Sequence, residues 1–232
     1  MRFIIFLCSL VYCLPAQTFD NKDLEKLKIT NKCENCDLSK ANLSNLNLSN
    51  AILLGSNLSY ADLTNTNLFK ADMSFTSLVR SKAYIANMDY ANLEGADLTE
   101  ARLNGATLRN ANLIDATLIS TVMSKSKLQE IILDGANLKY TKFRGANLNK
   151  AKFNGSIMSF TDFRAADLTE AEMIALDLTN SIFVSTKLDK VNFMSSNVSG
   201  MNLANFKLEK NNFINSITCE TIFPWKNKKE EC

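Results

Sequence analysis

The sequence predicts an all-β rod of stacked, four-edged coils, and three observations carry that prediction. A small residue, a polar residue and a leucine recur every five positions, as in Ala41–Leu63. The beat can be followed from Cys36 to Trp225, 190 residues or 38 units. Positions ending in 3 or 8 are Leu, Met or Phe from Leu38 to Phe223, except Ala83, Val198 and Thr218. Positions ending in 1 or 6 are small, except Leu46, Ile131, Leu176, Val191, Met201, Phe206 and Asn211. All seven glycines (Gly55, Gly95, Gly105, Gly135, Gly145, Gly155 and Gly200) end in 0 or 5. A period of five is neither the 3.6 of a helix nor the 2 of a strand. Two inward residues per five, with a corner that collects glycine, imply a short edge followed by a tight bend. Four such edges close a coil. A single coil cannot bury its own leucines, so coils must stack, with backbone hydrogen bonds running between them as in a parallel sheet.

The chain opens MRFIIFLCSLVYCLPAQ. Arg2, the apolar run Phe3–Leu14 and the small residue Ala16 have the layout of a secretory signal peptide over residues 1–16. The apolar run is short of the ~20 residues of a membrane-spanning helix, and an uncleaved anchor is the alternative. Residues 17–35 read as an N-terminal cap. Within it DNKDLEKLKIT (20–30) is the one helix candidate, with Asp20 or Asn21 as N-cap and Leu24 and Leu27 on one face. A rod exposes an apolar cross-section at its end, and this helix is suited to cover it; a frayed leader is the alternative. Residues 36–225 are the array and 226–232 a basic-acidic tail. Every phenylalanine in the large column ends in 3 (Phe143, Phe153, Phe163, Phe183, Phe193, Phe213 and Phe223), which puts the aromatics on two opposite walls of a four-edged coil. The unit Ser81–Ile85 breaks the pattern, with Ala83 in the large column and Tyr84 and Ile85 outside, and predicts a local bulge or loop, with a binding site as the alternative.

Composition narrows the function. Net charge is +2, and the chain contains no histidine. The near-neutral balance gives no support for nucleic-acid binding, and the usual general base and zinc ligand are missing. Asp62, Asp72, Asp97, Asp162, Asp167 and Asp177 are repeat-column residues. No G-x-S-x-G and no phosphate-cradling glycine loop is present. Asn-x-Ser matches such as Asn42–Ser44 are generated by the repeat itself. Cys33-Glu34-Asn35-Cys36 does not suit c-type haem, because Asp37 stands where histidine is required. A zinc site would need two further ligands. A disulfide suits an exported protein, and two buried thiols are the alternative.

The motif A(D/N)LXX, seen in Ala41-Asn42-Leu43-Ser44-Asn45 and Ala96-Asp97-Leu98-Thr99-Glu100, resembles the pentapeptide-repeat family over residues 36–225. The resemblance implies a right-handed quadrilateral β-helix with four units per coil. The 38 units then make about 9.5 coils, a rod roughly 45 Å long at strand spacing. Opposite ends of such a rod are too far apart to be joined by a disulfide, whose Cα atoms lie within about 7 Å. On that fold Cys33 pairs with Cys36 and Cys219 with Cys232. The stretches CxxCDLS and Cys219–Pro224 also look like the array edges of exported members.

Two outward features suggest a partner surface: the column Ile174, Met194 and Ile214, spaced by 20, and the pair Tyr140 and Phe160. The expected function is a non-enzymatic exported scaffold or protein-interaction rod, periplasmic or extracellular. It would have a protein partner, no cofactor, no metal, no nucleic acid and no stable membrane span after signal cleavage. The alternative is a DNA-mimicking topoisomerase inhibitor, a role of some family members, which near-neutral charge and a signal peptide both disfavour.

Overall fold

The computed structural model describes residues 20–226; the signal-peptide reading and the distal tail fall outside them. Helix α1 spans Asn21–Thr30, and after it the chain winds in short parallel bridges. Each bridge joins residues twenty apart, such as Asn42 with Asp62 and Asp62 with Lys82. A coil therefore takes twenty residues and has four edges of five.

The hydrogen bonds explain the five-residue motif. The Leu43 N–H donates to Asp62 O one coil on (2.8 Å), and Asp62 N–H donates back to Ala41 O (2.9 Å). At the corner, Asn45 N–H donates to Thr64 O (3.0 Å), and the bend is closed by Leu46 N–H to Leu43 O (3.3 Å). One N–H per edge remains, at the position ending in 4 or 9. It donates to the Asn or Asp side chain two residues earlier, as Ser44 does to Asn42 Oδ1 (3.0 Å) and Thr64 to Asp62 Oδ1 (2.9 Å). This Asx interaction is why the second column favours Asn and Asp. Where Thr107, Lys152 or Glu172 stands there instead, the N–H of Arg109, Asn154 or Ile174 turns to Asp89, Asp134 or Asn154 of the preceding coil.

Corner residues have positive φ whether or not they are glycine: Lys40 59°, Tyr60 61°, Glu100 58° and Phe160 61°. Such a conformation costs of order 1 kcal/mol or more for a side-chain-bearing residue, and at most corners, Lys40, Tyr60 and Glu100 among them, the inter-coil bond made by the corner N–H offsets it. Gly95 (φ 64°) has a second reason for being glycine. A Cβ there would sit 2.6 Å from the ring of Phe75, which lies across it from the coil before.

The large and small columns form one continuous core. Leu43, Leu63, Leu103 and Leu133 are essentially inaccessible, as are Ala41, Ala61 and Ala101. With the exception of Ser156, whose hydroxyl has no partner, buried Ser and Thr in the small column are mostly satisfied by a repeated device. Their hydroxyls donate to the large-column carbonyl 23 residues earlier, as Thr66 to Leu43 O (2.8 Å), Thr121 to Leu98 O (2.7 Å) and Thr221 to Val198 O (2.9 Å). The phenylalanines stack on opposite walls: Phe143 on Phe163 (5.3 Å), Phe163 on Phe183 (5.2 Å), and Phe193 on Phe213 (5.3 Å).

Helix α1 closes the N-terminal end. Asp20 caps it by accepting from Lys22 N–H (2.8 Å), and Leu27 is wholly buried. The first coil has no coil before it to receive its ladder bonds, and α1 supplies substitutes. Asp37 N–H donates to Asp23 Oδ2 (2.8 Å), and Asp20 N–H donates to Asp37 O (3.1 Å). At the other end Trp225 stacks on Phe223 (4.8 Å) and meets Phe213 edge-on.

The structure departs from the sequence expectation in three places. Stacking starts one edge before Cys36, since Lys32 already bridges Ile52 and Cys33 is fully buried. The bulge expected at Ser81–Ile85 does not form. Lys82 bridges Asp62 and Arg102, because Tyr84 and Ile85 point outward and place no load on the coil, while Ala83 leaves the backbone bonds untouched. The array is also less regular than its beat. A short 3-10 helix, Lys210–Phe213, interrupts it. Among the described residues, the N–H groups of Met158, Phe160, Asn180, Phe183, Ser185, Leu188 and Lys190 make no bond to the next coil. The cause lies in the small column, where Leu176 stands above Ser156, and Met201 and Phe206 follow one another above Ser181 and Thr186. Coils about 4.8 Å apart have no room for two consecutive large side chains. The edges part and leave an open cleft of about 670 Å³ lined by Phe183, Val184, Met201 and Phe206. Ile131 shows the limit of the rule. It is fully buried in an intact ladder, with Ala111 and Ala151 below and above it.

This register yields a direct test. Leu103→Ala should destabilise by about 2–5 kcal/mol, because it opens a cavity in a column with no slack. Asn42→Asp keeps the acceptor for Ser44 and should stay within about 0.5 kcal/mol. Chemical denaturation of both variants checks it; equal losses would refute the assignment of inward and outward columns.

Candidate partner-binding surface

Outward side chains repeat every twenty residues, so each corner forms a column along the rod. One corner carries Tyr60, Arg80 and Glu100 in succession. Arg80 reaches both neighbours, its Nε and Nη2 donating to Glu100 (2.6 and 3.0 Å) and its Nη1 to Tyr60 Oη (3.1 Å). Further along the same corner, Tyr140 and Phe160 lie ring on ring, 5.2 Å apart and 4° from parallel, each about half exposed. A second corner alternates in charge, with Lys150 and Lys190 both within 4.0 Å of Glu170. On a flat edge Asn67 donates to Asn47 (3.0 Å) and Asn87 to Asn67 (3.1 Å), a side-chain ladder parallel to the backbone one.

The other predicted apolar feature is weaker than the sequence suggests. Ile174, Met194 and Ile214 do share one column, but Ile174 and Met194 are half-buried and only Ile214 is exposed. Column position tells that a side chain points outward, not how far its neighbours cover it. One face separates this column from Tyr140 and Phe160. The cleft beside Phe183 was not read from the sequence, although Met201 and Phe206, adjacent exceptions in the small column, are the signal that marks it.

Cys33 and Cys36 are joined as a disulfide with Cα atoms 5.4 Å apart. Ser56 of the next coil holds the loop, its hydroxyl donating to Cys33 O and accepting from Cys36 N–H. The Asp23 carboxylate lies within 4.8 Å of both sulfurs. With the sulfurs bonded to each other, this group presents no thiolate ligand, and Asp23 is occupied with Asp37 N–H. Cys219 is disulfide-bonded as well; its expected partner, Cys232, lies outside the described residues. Among the described residues no helix is long and apolar enough to cross a membrane.

Comparison with known proteins settles the family. The profile described as "Pentapeptide repeats" matches in eight copies, over residues 36–74, 55–82, 86–124, 119–155, 131–169 and 146–183. The chain belongs to the pentapeptide-repeat family. That family's fold is the right-handed quadrilateral β-helix, in keeping with four five-residue edges per coil. No curated protein matches the chain. Among solved structures, a trypsin-treated variant of QnrB1, a plasmid-mediated fluoroquinolone resistance protein, is 24% identical. That match covers 69% of this chain and 80% of QnrB1 at a TM-score of 0.50. HetL, a pentapeptide-repeat protein involved in heterocyst differentiation regulation in the cyanobacterium Nostoc sp. strain PCC 7120, is 25% identical. It covers 88% of this chain and 97% of its own at a TM-score of 0.31.

On this pentapeptide-repeat rod the most perturbed carboxylate has a structural setting. Asp162 stands in the outward second column yet is buried between Arg144 and Arg164. Burial pushes its carboxyl up. Hydrogen bonds from the side chains of Arg164 and Arg144 and from Arg164 N–H outweigh that and hold it far below the usual carboxylate range. Asp89 is similarly buried and is lowered for the same reasons by Arg109. Because the folded-state value lies below the unfolded one, this stabilisation is complete above the unfolded carboxylate pKa, about 4. It is lost as pH falls toward the folded value. Asp162→Asn should therefore lower the thermal midpoint at neutral pH and flatten its decline between about pH 4 and pH 2. Circular dichroism melts at both pH values check this; parallel declines in wild type and variant would refute it.

Proposed function

We propose that this chain is a non-enzymatic, exported scaffold that holds a protein partner along its side. The observation that carries the reading is the Tyr140–Phe160 pair. Two aromatic rings stand half exposed and stacked on a corner, where the backbone fixes them at coil spacing. A rigid aromatic platform exposed on a polar rod is a typical protein-contact element. Membership of a family of structural and interaction proteins agrees with it. So does a surface whose polar groups are largely committed to one another along the columns.

Export rests on residues 1–16 and on the disulfide chemistry. Cys33, Cys36 and Cys219 are all bonded, and disulfides persist in oxidising compartments. We place the protein in the periplasm or outside the cell. The DNA-mimic reading has less support. Mimicry needs a net-acidic rod, and here Lys150 and Lys190 flank Glu170 and the net charge is +2.

Affinity capture from an intact envelope fraction, followed by titration of the identified partner, tests the main reading. Tyr140→Ala with Phe160→Ala should weaken binding tenfold or more, about 1.4 kcal/mol, without loss of fold; undiminished binding would refute the aromatic site. The export reading has its own readout. N-terminal sequencing of the protein from cells should begin at Gln17 or within a few residues. A non-reduced peptide map should link Cys33 to Cys36 and Cys219 to Cys232. Retention of Met1 would overturn export, and free thiols would overturn the disulfides.

A further inference from the structure

The four faces of the rod do not share its charges evenly. On the face formed by residues 81–85, 101–105 and their equivalents every twenty residues, six basic residues stand against two acidic ones. On the opposite face, formed by 91–95, 111–115 and their equivalents, six acidic residues stand against two basic ones. Net charges of +4 and −4 therefore lie back to back in a chain whose total is only +2. Of the two acids on the basic face, Asp162 is buried and paired with Arg144 and Arg164, and Asp62 acts electrostatically on Lys82, which leaves Arg102, Lys125 and Lys142 as the least neutralised charges of the row. Lys82, Lys125 and Lys142 are exposed, with no carboxylate within 4.0 Å among the described residues.

The two rows also share a pitch. The basic row advances about one residue per coil through Lys82, Arg102, Lys125, Lys142 and Arg164, and the acidic row does so through Asp72, Glu94, Asp115 and Asp134. Both steps equal the coil spacing, about 4.8 Å. Ten residues separate opposite faces within a coil, so the rows run side by side at the same height, offset by roughly half a coil. We propose that this chain associates with further copies of itself side by side, the basic face of one rod on the acidic face of the next, with the rods pointing the same way. Translation alone brings Lys82 of one copy opposite the Asp72–Glu94 level of its neighbour, and the match repeats through Arg102 and Lys125; beyond Asp134 it is interrupted by Lys152, which is paired with Glu172. Each face is on the order of a quarter of the 12490 Å² accessible surface, several times the ~800 Å² per partner of a standard interface. Because the two surfaces differ, the contact is head-to-tail and leaves a free face at each end, so it builds open rows rather than closed dimers. Individual exposed ion pairs are weak; the row acts through their number and is screened by salt. The Tyr140–Phe160 corner borders the basic face but contributes no charge to the row, so charge reversal tests this proposal separately from the aromatic substitutions that test the partner reading.

Charge reversal with mixing tests it. The basic-face variant is Lys82→Glu with Arg102→Glu and Lys142→Glu. The acidic-face variant is Glu94→Lys with Asp115→Lys and Glu172→Lys. Both are first checked for wild-type circular dichroism and melting. In sedimentation velocity at about 20 mM salt, wild type should grow in size with concentration and should revert to monomer at about 500 mM salt. Each variant alone should associate tenfold or more weakly. The two variants mixed should associate again, since one then presents two acidic faces and the other two basic ones. A wild type that stays monomeric at low salt, association unchanged in either variant, or a mixture that fails to associate would each overturn the proposal. So would wild type that binds a polyanion such as heparin while remaining monomeric, which would make the basic face a polyanion site instead.

Discussion

Over most of the rod each edge exchanges backbone hydrogen bonds with the edge twenty residues away, and the other regularities of the chain follow from keeping that exchange intact. Four of the five N–H groups of a unit are used by the ladder and the turn. The fifth needs a side-chain acceptor, which makes Asn or Asp the favoured second residue. The inward small residue is small because the next coil lies only about 4.8 Å away. At most sites where Ser or Thr replaces Ala there, its hydroxyl has a carbonyl waiting below it. The corner N–H must point along the rod, and this holds even Tyr, Glu and Phe at positive φ. Tolerance at the corner and intolerance in the small column thus have one origin.

Stability in such a rod is a property of neighbours rather than of the whole, because each coil touches only the coils beside it. The ends and the flaws matter most for that reason. At the start, Asp23 and Asp20 of α1 make bonds with Asp37 in place of a missing coil, and Ser56 ties the Cys33–Cys36 loop to the coil that follows. Near the far end Met201 and Phe206 force two coils apart, and the bonds resume beyond, at Phe193 N–H to Asn212 O and Leu203 N–H to Ile222 O. Local opening should concentrate at this gap, since it has the fewest bonds to break.

Much of the fold was legible in the sequence because a period of five reports the geometry directly. Leu43, Leu63 and Leu103 fall inside and Gly95 falls at a corner by residue number alone. What was missed concerns contacts between coils. Ser81–Ile85 looked irregular from its side chains, yet the backbone does not notice outward bulk, so no bulge forms. Met201 and Phe206 looked like tolerable exceptions one at a time. Ile131 is indeed tolerated, whereas the ladder is broken at Leu176 as well as at Met201 and Phe206, and that distinction depends on what stacks above and below. Ile174 and Met194 were placed correctly in their column, but their half-burial depends on neighbours that the period does not specify. Tyr140 and Phe160 were legible as a pair for a simple reason: twenty residues apart at a corner means adjacent and exposed.

Charge was hidden by the same arithmetic that revealed the core. A linear reading sums Arg102 with Asp115 and finds balance, because residues about ten apart in sequence fall on opposite faces of one coil. The period of five treats all four edges as equivalent, so it cannot see a difference between them; only the period of twenty can. A rod with conserved backbone geometry on every edge is free to vary its outward residues face by face, since Lys82 and Glu94 do not take part in the ladder through their side chains. Function in this architecture is therefore written in the residue classes that the fold leaves unconstrained. The faces that differ from one another most, rather than those that follow the motif best, are where partner recognition should be sought.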